Sequence, residues 1–173
     1  MINRRHLLAA AAAAPIATLP AMAIEAQPAP GAGARAMPLD QHGYRSAQPV
    51  GDSVPWWVLG TTQSYEKTID GLTWVLPRFS PEVRTYDGKV IRVNGYMMPL
   101  EESRTQRRFL LMAYPPSCPY CLDVGSQYFI EVLSPGGVPH SYDAFVIEGK
   151  FELIEKDENG LYYRLRNAKL ARR

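Results

Sequence analysis

Phe145-Val146-Ile147-Glu148-Gly149-Lys150-Phe151-Glu152-Leu153 is the stretch from which the fold is read. Phe145, Ile147, Phe151 and Leu153 fall on one face, and Glu148, Lys150 and Glu152 on the other. This is the two-residue period of a half-buried strand. Gly149 takes an inward place, where a bulge or a tight barrel bend wants no side chain. Downstream, Asn159-Gly160 signals a hairpin turn that feeds Leu161-Tyr162-Tyr163-Arg164-Leu165. Upstream, Tyr128-Phe129-Ile130-Glu131-Val132-Leu133 and the continuously apolar Phe109-Leu110-Leu111-Met112-Ala113 read as strands, the latter as a central one. In Lys89-Val90-Ile91-Arg92-Val93-Asn94-Gly95, after the Asp87-Gly88 turn, Ile91 and Val93 share a face. Ser80 as N-cap and Pro81 at the first helical position predict a short helix before it. Five strands, a mid-strand glycine and a closing hairpin point to a mostly β fold. Its natural architecture is a small five-stranded OB-like barrel with a short N-terminal helix.

The 173 residues suit one domain, and the 46% hydrophobic content suits a packed core. Residues 24–53 are rich in Pro, Ala and Gly and lack an apolar period, which predicts a flexible leader before a domain over 54–173.

The first residues, Met1-Ile2-Asn3-Arg4-Arg5-His6-Leu7-Leu8 and an alanine run, resemble a twin-arginine export signal. The apolar stretch from Leu7 to Leu19 is short of the roughly 20 residues that span a bilayer, so no stable membrane span is expected. Ala21-Met22-Ala23 is a small-x-small cleavage pattern, which assigns 1–23 to the signal and the mature chain to the periplasm. Removing Arg4 and Arg5 lowers the basic count from 19 to 17, equal to the 17 acids, none of which precedes Glu25. A neutral mature chain argues against a nucleic-acid partner. The twin-arginine route carries folded proteins, so thiols reach the envelope still reduced and able to hold a metal.

Both cysteines lie in Tyr114-Pro115-Pro116-Ser117-Cys118-Pro119-Tyr120-Cys121, just after the apolar strand. Prolines stiffen this loop and lower the entropy lost when two thiolates converge. Cys-x-x-Cys is a half-site for a soft or borderline ion such as zinc or copper(I), with His140, Asp143, Asp123 or His42 as further donors. Cys-Pro-Tyr-Cys is also the glutaredoxin active-site tetrapeptide, in which a helix N-terminus activates the first thiol. Pro139 lies only 18 residues after Cys121, too few for the parallel unit of a thioredoxin fold, which takes roughly 30. Thiol exchange on another fold, or a local disulfide of small entropic value, remain as alternatives.

The series Pro77 to Arg84, Asp87 to Leu100, Phe109 to Cys118, Glu148-Gly149 and Tyr162 to Leu165 resembles domain-of-unknown-function family 3299 over roughly 55–168. The resemblance implies a small exported bacterial domain and an OB-like barrel, with no assigned activity. Family members carry a Cys-x-His followed by prolines where this chain has Cys118 to Cys121. The resemblance therefore implies that Cys121 stands in for a histidine, an exchange that keeps metal ligation and abolishes a disulfide. It also implies an envelope transporter component as a partner.

Trp56, Trp57 and Trp74 are expected to cap one barrel end, and Tyr114, Tyr120 and Tyr128 to pack around the loop. Glu101-Glu102 with Arg104, Arg107 and Arg108 reads as a solvated loop, and His140 as exposed after a Gly136-Gly137 turn. No Ser-His-Asp order, paired-carboxylate site, zinc-protease helix or phosphate loop is present, which favours a binding module over an enzyme. The expected function is metal binding in envelope homeostasis through Cys118, Cys121 and His140. The alternatives are a thiol–disulfide redox protein and a non-catalytic transporter adaptor.

Overall fold

A computed structural model describes residues 37, 39–40, 43–116 and 124–171. The export signal at 1–23, most of the leader, His42, Cys118, Cys121 and Asp123 lie outside the described residues. In chain order the elements are helix α1 (Trp56–Leu59), strands β1 (Gln63–Ile69) and β2 (Leu72–Arg78), helix α2 (Pro81–Arg84), β3 (Val90–Pro99) and β4 (Thr105–Met112). A 3-10 turn at Ser126–Tyr128 leads into β5 (Phe129–Pro139), followed by β6 (Phe145–Leu153) and β7 (Tyr163–Leu170). Five of these strands close into a barrel in the order β3-β4-β5-β7-β6, while β1 and β2 form a separate hairpin. The fold is thus mostly β with a closed five-stranded barrel. Among the described residues no helix is long and apolar enough to cross a membrane.

Local chemistry explains each barrel element. The Ser80 hydroxyl accepts the Val83 N–H, capping α2, and Pro81 sits in its first turn. β3 buries Ile91, Val93, Gly95 and Met97, pairing through its first half with β6 and through its second with β4. A Cβ on Gly149 would come within 3.1 Å of the Arg166 carbonyl and 3.2 Å of Ala168, where the β6–β7 register slips between Glu148 and Lys150. The inward glycine therefore serves the bulge that lets β7 cross closely over β6. Closure is completed by a short parallel pairing of β5 with β7, Glu131 to Arg164 and Val132 to Leu165.

The barrel core centres on Phe109, Leu111, Ile130, Val132, Ile147, Phe151, Tyr163 and Leu165. Trp56 is buried against it and donates its indole N–H to the Asn94 carbonyl at 2.7 Å. A second apolar cluster of Met98, Leu110, Met112, Phe129 and Leu161 explains why both faces of β4 are apolar.

Three features differ from the expectations. The folded part begins before residue 54: Ser46, Ala47, Ser53 and Val54 are buried, and the Ala47 and Val54 amides donate to Ala113 and Arg92. The β1–β2 hairpin was not expected, because β1 is exposed and polar and shows no core-facing alternation. Gly136-Gly137 does not end a strand. It forms a bulge inside β5, with Gly137 at φ +73°, opposite the register slip at Gln106 and Arg108.

Candidate functional site

β4 carries the chain from the barrel to the cysteine-bearing segment 117–123, and the described residues on either side are firmly held. The Ala113 carbonyl accepts from Ala47 at 2.7 Å and the Ala113 amide donates to Tyr128 at 2.9 Å. Next in sequence, the buried Tyr114 ring meets Tyr128 edge-on at 5.9 Å. On the far side, Val124 packs against both apolar clusters. Gly60 allows Tyr128 to pass close to α1, since a Cβ there would meet the Tyr128 ring at 2.9 Å. One end of the β4–β5 ladder is therefore a fixed base on which both ends of the segment stand.

The Tyr114 hydroxyl is pushed up to about 12 by burial, with the charges of Tyr128 and Asp40 adding to it. Asp40 thus belongs to the same end of the barrel. It begins a tight turn in which the Gly43 amide donates to its carbonyl at 3.0 Å and the Tyr44 amide to its carboxylate at 2.7 Å. His42 lies in sequence inside that turn.

His140 stands elsewhere. Its amide donates to the Arg104 carbonyl at 2.9 Å, and its ring meets Tyr142 edge-on at 4.7 Å. The Thr105–Pro139 and Met112–Phe129 pairs bound the ladder, and seven residue steps of β4 separate them by about 23 Å. The structure therefore does not bring His140 to the end from which the cysteine segment departs. Asp143 lies in the loop beyond His140, its amide donating to Ser141 Oγ at 3.1 Å. Among the described residues no three His, Cys, Asp or Glu side chains gather to hold a metal ion.

The outer wall carries an ion ladder that the sequence reading missed. Glu131 is only 2% exposed and receives Arg108 at 2.8 Å on one side and Arg164 on the other; Arg164 and Arg166 continue to Glu152. Burial is the largest single influence on Arg164 and opposes its charge, but the Glu131 hydrogen bond together with the charges of Glu131, Glu152 and Asp157 outweighs it and raises the guanidinium further. Arg108 is therefore strand surface rather than free loop. Glu101, by contrast, does organise the turn before β4, accepting the Arg107 amide at 2.8 Å. Glu148 joins Arg92 at 2.9 Å to Lys169 at 3.0 Å, and these partners, Arg92 foremost, hold its carboxyl below the ordinary range. A groove of about 600 Å³ runs past Val50, Asn94, Phe145 and Leu170; Arg92 at its rim is already engaged by Glu148 and Asp52. These charges are paired with one another, so they build the wall rather than a reactive centre.

No curated protein matches the chain. A solved structure described as a DUF3299 family protein from Pseudomonas aeruginosa is 26% identical over 54% of this chain and 68% of its own, with a TM-score of 0.44. The family model for DUF3299, a protein family of unknown function, matches residues 55–171. That span takes in α1, the hairpin and the whole barrel, and the chain belongs to the DUF3299 family.

Proposed function

We propose that this chain is a periplasmic binding module that holds zinc or copper in envelope metal homeostasis through Cys118 and Cys121. One observation carries the reading. The described flanks of the cysteine segment are fixed at one end of the barrel, through Ala113, Tyr114 and Val124, beside the turn that brackets His42. A half-site on a fixed base loses less entropy when it closes on an ion. Two thiolates and an imidazole are a donor set for a soft or borderline metal, with a further position left for a partner or solvent. The third donor in this reading is His42, not His140, because His140 occupies the opposite end of the ladder. Its role is to receive and release metal rather than to catalyse, and an envelope transporter component is the natural recipient.

The redox alternative uses the same two thiols. Glutaredoxin-like activation needs a helix following the first cysteine. Here the described chain resumes at Val124-Gly125, makes a three-residue 3-10 turn and enters β5.

Calorimetric titration of the reduced full chain with zinc and with copper(I) tests the proposal. About one equivalent should bind, with loss in a Cys118→Ser/Cys121→Ser double variant. His42→Ala should weaken binding at least about tenfold, and His140→Ala should leave it unchanged. No binding by the reduced protein would overturn the proposal. Binding that depends on His140 would overturn the ligand set.

A further inference from the structure

The β1–β2 hairpin stands outside the closed barrel, tied to it where the Tyr162 hydroxyl donates to Ser64 Oγ at 2.8 Å; its outer strand buries Leu76 and Pro77 but is bare over the half next to the turn. Asp70 and Gly71, at φ 52° and 78°, form a two-residue turn of the primed type, closed by Ile69 opposite Leu72. In such a hairpin the closing pair exchanges both main-chain hydrogen bonds, and bonded pairs then alternate. Leu72, Trp74, Leu76 and Arg78 therefore turn their amides and carbonyls towards β1, while the exposed Thr73 and Val75 turn theirs outward; Pro77, next on that side, has no N–H and is buried. Among the described residues no main-chain hydrogen bond meets that outward row. From Leu72 to Pro77 the strand carries no charge, and Leu72 and Val75 are 63% and 52% exposed. β1, by contrast, is guarded by Glu66 and Lys67.

An open row of this kind is satisfied by another extended strand, and the sequence of β2 specifies which one. We propose that β2 pairs with β2 of a second copy of this chain, antiparallel about a two-fold axis at Trp74. In that register Thr73 faces Val75 of the partner subunit, and Leu72 faces Leu76 of the partner subunit. Each Asp70 faces Arg78 of the partner subunit, so opposite charges meet at both ends of an uncharged stretch. The outward groups of Thr73 and Val75 then bond reciprocally. The N–H that Pro77 lacks falls at the end of the paired stretch, where it costs least. Lys156 stacks on the Trp74 ring at 3.7 Å and Arg78 over the Tyr65 ring at 5.2 Å, on the faces of the hairpin.

Sedimentation velocity of the full chain between about 5 µM and about 500 µM tests this, with self-association expected within that range. Val75→Pro removes an outward donor without touching the β1–β2 bonds, and Arg78→Glu places like charges opposite each other. Each should weaken association at least about tenfold while the thermal unfolding of the monomer stays cooperative. A chain that stays monomeric throughout overturns the proposal, and so does a dimer that both variants leave intact.

Discussion

Gly149 shows how much one missing side chain can decide. With the Arg166 carbonyl 3.1 Å and Ala168 3.2 Å from a would-be Cβ, Gly149→Ala must push β7 away from β6. A loss of about 1–3 kcal/mol is expected, read as a lower denaturant midpoint with an unchanged slope. Glu131 carries a different risk. It is buried between two arginines, and Glu131→Ala leaves Arg164 partly buried without its nearest anion. Chemical denaturation should show a cost of about 2 kcal/mol, held below the figure for a fully buried pair because Arg108 is 55% exposed. These two residues differ in legibility. Gly149 stood out because it broke an alternating run, and Ser80-Pro81 because capping is local. The Glu131 pairing depends on which strands become neighbours, and nothing near residue 131 in the sequence names residues 108 and 164.

Strand pairing sets charge on the scale of the element. β3, β6 and β7 line up Arg92, Glu148 and Lys169 across their outer faces. The Glu148 carboxyl is held below its ordinary range, first by Arg92 and then by Lys169. A depressed carboxyl binds fewer protons folded than unfolded. Its contribution is therefore complete above the unfolded value and is lost as the pH falls through the folded one. Thermal midpoints of the wild type and of Glu148→Gln should differ at neutral pH and converge in strong acid; a gap that persists in strong acid would refute this linkage. The hairpin is the element that was hardest to read. Asp70-Gly71 is a turn dipeptide that drew no strand reading on either side, because Gln63–Ile69 buries almost nothing and periodicity reports only strands with a buried face. The end of the leader is hard to read for a related reason. Residues 46–54 are held by main-chain bonds to Ala113 and Arg92, which composition does not encode.

At the largest scale, closure of the barrel rests on two parallel pairs between β5 and β7. Local signals announced the five barrel strands and their order in the chain. They did not announce that β5 returns to β7, a contact whose partners lie 33 residues apart, Glu131 to Arg164. The same topology separates the two ends of the β4–β5 ladder. It is the reason His140, close to the cysteines in sequence, is far from where their segment begins and ends. The candidate site was legible as a pair of thiols in a proline-stiffened loop. Which of the further donors would join them was not, because the distance of His140 from that end depends on the β4–β5 pairing rather than on sequence separation.

The most direct test is native mass spectrometry of the reduced full chain after incubation with zinc or copper(I). One added metal ion is expected, absent from the Cys118→Ser/Cys121→Ser variant. A chain that keeps its metal-free mass, or that is lighter only by the two hydrogens of a disulfide, would contradict it.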